Sequence, residues 1–236
     1  MALLEVENMH AFIGPFHILQ GVSFVAKKGK LTVILGRNGA GKTTLLRSIM
    51  NMIPTKTGKV LFKGEDISKL PTFKIARMGI AYVPSAQRRI FSKLTVEENL
   101  KLAFMGSKDS YEERLRFVFD IFPDLEKMLK DKARNLSGGQ QKMLLVARAM
   151  INNNELLLID EPTEGLSPIL VKRFSDTLNK LKEHVTIILV EQNFKLASEV
   201  GDECYILDMG KIVQYGAMRD VAQNKELLKK HLGVSL

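Results

Sequence analysis

The 236-residue chain holds one cysteine, Cys204, so no disulfide can form within it and a small disulfide-stapled scaffold is excluded. Cys204 adjoins an apolar stretch and reads as a small buried residue rather than a nucleophile, compatible with a reducing cytoplasm. No apolar run approaches the roughly 20 residues needed to cross a bilayer, so any membrane role must come through partners. Met1-Ala2-Leu3-Leu4-Glu5-Val6-Glu7 alternates like a strand and has no basic region followed by a long apolar segment, so no signal peptide is expected. Repeats, low-complexity tracts and an interdomain linker are also lacking, which points to one domain. Its 45% hydrophobic content suffices for a packed core and excludes a disordered tail. Acidic charge is in deficit: the formal balance is +9, and Pro71 to Met150 holds 15 Lys/Arg against 9 Asp/Glu. Those charges are scattered and lack interleaved exposed aromatics, so a solvated surface is favoured over a nucleic-acid groove, with attraction to an anionic membrane leaflet as a further reading.

What is present begins with an apolar run, Leu31–Leu35, read as a buried parallel strand, followed by Gly36-Arg37-Asn38-Gly39-Ala40-Gly41-Lys42-Thr43-Thr44. This is the phosphate-binding P-loop pattern. Its glycines let several backbone N–H groups point at phosphate oxygens, and the helix predicted from Lys42 to about Asn51 adds its partial positive end. Lys42 is expected to reach the β- and γ-phosphates, and Thr43 to bind Mg²⁺. Leu3–Glu7 and Val22–Ala26 read as N-terminal strands, with further strands at Lys59–Phe62, Ile80–Val83, Leu156–Ile159, Val185–Val190, Glu203–Leu207 and Lys211–Gln214. Helical patterns cover Thr72–Met78, Thr95–Asp131, Gly138 to about Asn152, Ile169–Lys182 and a basic stretch through Lys230. Strands alternating with helices imply a mainly parallel sheet covered on both faces. Leu156–Ile159 ends in Asp160-Glu161, which puts two carboxylates at the C-terminal end of a strand, where open α/β sheets bind ligands.

Leu136-Ser137-Gly138-Gly139-Gln140 is not a general feature of P-loop enzymes. With it the chain resembles the ATP-binding cassette (ABC) proteins, whose signature sequence this is, from about Leu3 to the C-terminus. The resemblance implies an α/β P-loop ATPase core with an N-terminal antiparallel part and an inserted helical subdomain. It gives one domain over 1–236, with 1–84 and 153–236 as catalytic core and 85–152 as the helical signature subdomain. Ser137 and the glycines opening a helix make a second N-terminal anion site, which in ABC proteins clamps the γ-phosphate of ATP held by the opposite subunit. Asp160 is similar to the acidic residue that holds Mg²⁺ through water, and Glu161 to the general base that positions the attacking water.

Departures from the family pattern narrow the reading. Pro162-Thr163-Glu164-Gly165-Leu166-Ser167-Pro168 stands where the family has its D-loop, with Ser167 in place of aspartate. Gln192 stands in place of the switch histidine, so it can donate a hydrogen bond to the γ-phosphate but cannot supply an imidazolium. Val190-Glu191-Gln192-Asn193 and Arg88-Arg89-Ile90-Phe91-Ser92-Lys93-Leu94-Thr95-Val96-Glu97-Glu98-Asn99-Leu100 resemble the ATP-binding subunits of branched-chain amino acid permeases. At the Q-loop, Ser85 occupies the expected glutamine position, and Gln87 comes two residues later as a candidate that reaches back to Mg²⁺ or an ordinary loop residue. For adenine, Ile13 occupies the usual aromatic position and Phe12 is the alternative stacking residue. No guanine-reading Asn-Lys-x-Asp segment occurs. The resemblance thus implies an ATPase using ATP and Mg²⁺, dimerised with a second ABC ATPase subunit, identical or not. It would bind transmembrane permease subunits at the cytoplasmic face of the inner membrane, and no nucleic acid is expected. The exporter cassettes for lipid or lipopolysaccharide, and soluble ABC ATPases acting on ribosomes or DNA, are the alternatives.

Overall fold

The computed structural model describes residues 1–85, 90–104 and 109–233. Leu31–Leu35 (β3), Leu156–Asp160 (β7) and Thr186–Glu191 (β8) are buried at every position. Their continuous apolar sequence is explained by cover on both faces. They join Ile80–Val83 (β6), Glu203–Asp208 (β9) and Lys211–Ala217 (β10) in one six-stranded sheet of order β10-β9-β3-β8-β7-β6. All its neighbours are parallel except the β9–β10 hairpin, which pairs antiparallel.

One face of this sheet presents Ile34, Leu158, Ile188 and Val190 to a core that includes Leu45, Leu46 and Ile49 of helix α1 (Lys42–Ile49). The same core takes in Leu4, Val6, Leu19 and Val60 of a second sheet. That sheet is antiparallel, of order β2-β1-β4-β5, built from Ala2–Ile13 (β1), Phe16–Lys27 (β2), Thr55–Phe62 (β4) and Glu65–Asp66 (β5). The P-loop helix is therefore held between two sheets. The opposite face packs Val33, Leu157, Ile159, Ile187 and Leu189 against helices α6 (Gly138–Met150), α7 (Pro168–Leu181) and α8 (Phe194–Val200).

β1 and β2 are twice the length that sequence alternation predicts. The extension carries polar and aromatic residues such as Asn8, His10, Phe12 and His17, so the alternating hydrophobic signal fades while the ladder continues. Helix α8 is likewise unread from sequence, because its seven residues are too few to display a period. Between β6 and β7, after α2 (Thr72–Arg77), the predicted helical stretch resolves into α3 (Val96–Phe104), α4 (Tyr111–Ile121) and α5 (Pro123–Lys127) ahead of α6. A reciprocal cap starts α3: Thr95 N–H donates to Glu98 Oε2 at 2.6 Å and Glu98 N–H to Thr95 Oγ1 at 3.1 Å. Val96, Leu100, Val118, Ile121 and Leu125 pack into the same core as α6. The chain ends in α9 (Met218–Gln223) and α10 (Lys225–Leu232).

Candidate functional site

β3, β8 and β7 are neighbours and run parallel, so their C-terminal ends open on one edge. That register brings the P-loop, the Glu191-Gln192 segment and the Asp160-Glu161 pair side by side. Backbone geometry leaves little choice of residue in the loop. A Cβ on Gly36 would stand 2.4 Å from the carbonyl oxygen of Leu207 in β9, and one on Gly41, at φ +106°, would stand 2.9 Å from Leu19 Cδ2. The β9–β10 turn braces the loop further, with Gly210 N–H donating to Ala40 O at 3.1 Å. Arg37, Asn38 and Gly39 are exposed at the tip, while Ala40, Lys42 and Thr44 are buried and Gly41 and Thr43 half-buried.

Lys42 is 4% exposed, and its ammonium donates to Gly36 O at 2.7 Å and Arg37 O at 2.9 Å and pairs with Glu161 at 2.8 Å. Thr43 Oγ1 donates to Asp160 Oδ1 at 2.9 Å, and the hydroxyl of Tyr82 donates to Asp160 Oδ2 at 2.9 Å. Burial pushes the Asp160 carboxyl up, and the hydrogen bonds from Tyr82 and Thr43 oppose it. Glu161 adopts φ +42°, a left-handed conformation uncommon for a glutamate, while its N–H still donates to Val190 O at 3.0 Å. The chain thus leaves the sheet in a sharp turn right after the two carboxylates.

A cleft of 240 Å³ is lined by Asn38, Glu161, Thr163, Glu164, Glu191, Gln192 and Asn193. Glu161 and Gln192 therefore share this cleft, with Lys42 tied to it through its pair with Glu161, whereas the signature residues do not line it. Ser137 instead caps α6: its Oγ accepts from Gln140 N–H at 3.3 Å, and Gln140 Oε1 accepts from Ser137 N–H at 2.8 Å. Ser137 is exposed and Gly138 half-buried, and a Cβ on Gly139 would meet Leu170 of α7 at 3.1 Å. Ser167 is the N-cap residue of α7 but makes no side-chain capping bond. Phe12 stacks on His17 with ring centroids 4.2 Å apart and planes at 10°, while Ile13 and Phe16 at the hairpin end are 48% and 69% exposed. Gln87, Arg88 and Arg89 lie outside the described residues.

Three residues emerge from the structure that the sequence reading did not single out. Tyr82 holds Asp160 as just described. Glu191, 2% exposed, accepts from Thr163 N–H at 3.2 Å and Thr163 Oγ1 at 2.6 Å on one oxygen, and from the N–H groups of Gln192 and Asn193 at 3.0 Å on the other. Lys142 in α6 donates to the carbonyl oxygen of Glu164. A carboxylate at the end of a buried apolar strand was the available signal for Glu191. Tyr82 and Lys142 carried no signal, since their partners are distant in sequence.

A hydroxyl and a carboxylate within 2.9 Å of one another, both hard oxygen donors, suit a cation that takes its remaining ligands from phosphate and water. Among the described residues no group of three or more His, Cys, Asp or Glu could hold a metal alone. The doubly covered sheet and the glycine loop opening α1 define a P-loop nucleotide-binding ATPase core. The family model described as ABC transporter matches residues 19–164, and the chain belongs to that family as an ATP-hydrolysing cassette. It is 36% identical over 233 residues to the high-affinity branched-chain amino acid transport ATP-binding protein BraG of Pseudomonas aeruginosa, covering 98% of this chain and 100% of that one. It is 29% identical to the lipopolysaccharide export system ATP-binding protein LptB of Haemophilus influenzae, covering 99% and 98%. Among solved structures it is similar to an ATP-binding cassette of an ABC transporter in its ADP conformation. The TM-score is 0.83 and the identity 27%, covering 97% of this chain and 98% of that one.

Proposed function

We propose that this chain is the ATP-hydrolysing subunit of a membrane importer for branched-chain or related amino acids, attached through its partners to the cytoplasmic face of the inner membrane. The observation that carries the reading is the Glu191-Gln192-Asn193 segment at the cleft, in a chain whose likeness to BraG runs end to end. Among the described residues no helix is long and apolar enough to cross a membrane, so permease subunits would supply the pore.

In this reading the N–H groups of Arg37 to Thr43 and the N-terminus of α1 cradle the phosphates of ATP, and Phe12 contacts the base. Lys42 turns from Glu161 to the β- and γ-phosphates, which frees Glu161. Thr43 and Asp160, with Gln87 as a candidate third group, would hold Mg²⁺, which neutralises phosphate charge. Glu161 takes the proton of the attacking water as its oxygen bonds to the γ-phosphorus, and the bond to the leaving ADP oxygen breaks. Gln192 donates a hydrogen bond to the γ-phosphate. Ser137, Gly138, Gly139 and Gln140 would clamp the phosphate bound to a second subunit, since in their own chain they do not line the cleft. The helical segment 85–152 is then the signature subdomain of a single domain over 1–236. A 390 Å³ groove between that segment and the core, lined by Met52, Tyr82, Pro84, Leu145 and Arg148, is the surface that would grip a permease.

Glu161→Gln tests the reading. The variant keeps ATP affinity while turnover falls by about a hundredfold or more, the scale of a lost general base. Isolated in mild detergent with ATP and Mg²⁺, it brings down polytopic amino acid permease subunits, identified by mass spectrometry. Normal turnover overturns the assignment of Glu161 as the general base, and ribosomal proteins or DNA without any membrane protein overturn the transporter. Likeness to LptB favours a second reading, an exporter cassette. Recovery of a lipopolysaccharide-export permease would select it.

A further inference from the structure

Lys142 is 4% exposed and lies at the fifth position of α6, one turn beyond the capped Ser137. Burying an ammonium is costly unless it is hydrogen-bonded and its charge compensated. Among the described residues no carboxylate stands within ion-pair distance of it, and its hydrogen bond goes to a backbone oxygen, that of Glu164. Burial pushes its ammonium down, and attraction to Glu164, Glu191 and Glu161, in that order, holds it up. Two of those carboxylates have partners of their own: Glu191 accepts from Thr163, Gln192 and Asn193, and Glu161 pairs with Lys42. A buried cation thus sits where the signature helix, the loop after Glu161 and the carboxylate beneath Gln192 meet.

We propose that Lys142 is a positioning residue for ATP hydrolysis, its ammonium tying the 161–167 loop to the signature helix through the Glu164 carbonyl and so setting where the Glu161 carboxylate stands. The inference rests on Glu161 as the base. The tie is local, because Glu164 is three residues past Glu161 in a turn whose Glu164 N–H donates back to Glu161 O at 3.4 Å. Any shift of α6 is carried to Glu161 within the same chain. The arrangement also accounts for a buried charge that a stable core does not require.

The test compares Lys142→Met, Lys142→Gln and Lys142→Arg in the full-length protein, with kcat and KM for ATP, affinity for a fluorescent ATP analogue, and thermal unfolding. Methionine has nearly the length of lysine and no donor. Lys142→Met is expected to lower kcat by about tenfold, the scale of one lost hydrogen bond from a charged group, with KM and analogue affinity within about twofold and no fall in Tm. Lys142→Arg keeps a cation and a donor and restores most of kcat. Should the methionine variant not fold, Lys142→Gln is read by the same split of kcat against KM. Unchanged kcat, an equal loss of nucleotide affinity and Tm, or an arginine variant as slow as methionine overturns the inference. Glu161→Gln in parallel separates the two readings: full turnover there removes the base assignment, while a dead Glu161→Gln beside an unimpaired Lys142→Met removes only the role of Lys142.

Discussion

Glu191→Gln removes one oxygen from a buried carboxylate that accepts from four groups, and its cost can be worked from their positions. With the amide oxygen facing Gln192 and Asn193, the new NH₂ faces Thr163. The Thr163 hydroxyl can rotate and accept from it, but the Thr163 N–H, in a residue 5% exposed, loses its acceptor. An unsatisfied buried donor costs about 1–3 kcal/mol. The opposite amide orientation strands two backbone N–H groups instead, those of Gln192 and Asn193, so it offers no escape. Removing the buried charge offsets part of this loss, leaving about 2 kcal/mol. For a chain of this size each kcal/mol shifts Tm by about 2–4 °C, so a fall of about 4–8 °C is expected in thermal unfolding followed by circular dichroism. Thr163→Val removes only the hydroxyl, and because both changes break one network the double variant loses less than the sum of the singles. A Tm within about 1 °C of the parent, or strict additivity, refutes the view that Glu191 fastens the Gln192 segment to the loop after Glu161.

The central sheet and the two carboxylates at its edge were legible because each rests on a local signal. Short apolar runs leading into Gly36 and Asp160 announce buried parallel strands, and those two residues mark where each strand gives way to a loop. The signature helix was equally legible, since Ser137 and Gln140 form a cap within four residues. The outer halves of β1 and β2 were not, because His10, Phe12 and His17 line a partly solvated face where burial imposes no alternation. Long-range ties were the least visible. Tyr82 reaches Asp160 and Lys142 reaches Glu164 through tertiary packing, and neither residue type announces its partner. The strain at Glu161, φ +42°, also arises from the turn that aims its carboxylate at Lys42 rather than from any preference of glutamate.

Gly36→Ala places a methyl 2.4 Å from the Leu207 carbonyl oxygen, so β9 and the P-loop must part. Loss of stability by about 2 kcal/mol, the scale of overpacking in a core, together with weakened ATP binding is expected in equilibrium urea unfolding and nucleotide titration, and a neutral substitution refutes the contact. The same junction makes Cys204 a reporter. It is fully buried in β9, paired with Val33 on β3 and Gly216 on β10, and burial pushes its thiol up to about 12. At pH 8 an ordinary thiol near 8.5 is about one-quarter thiolate, whereas this one holds about one part in ten thousand, so ionisation alone slows reaction by a factor on the order of 10³. Labelling by a thiol-reactive disulfide must then proceed through opening of β9, and opening β9 withdraws the Leu207 backbone against which Gly36 packs. A nucleotide bound to the P-loop opposes that opening. At a hundredfold excess over its dissociation constant ATP adds about 2.7 kcal/mol, which slows labelling about a hundredfold. Reaction of the native protein at the rate of the unfolded chain refutes the burial, and a native rate indifferent to ATP refutes the mechanical link between β9 and the phosphate loop.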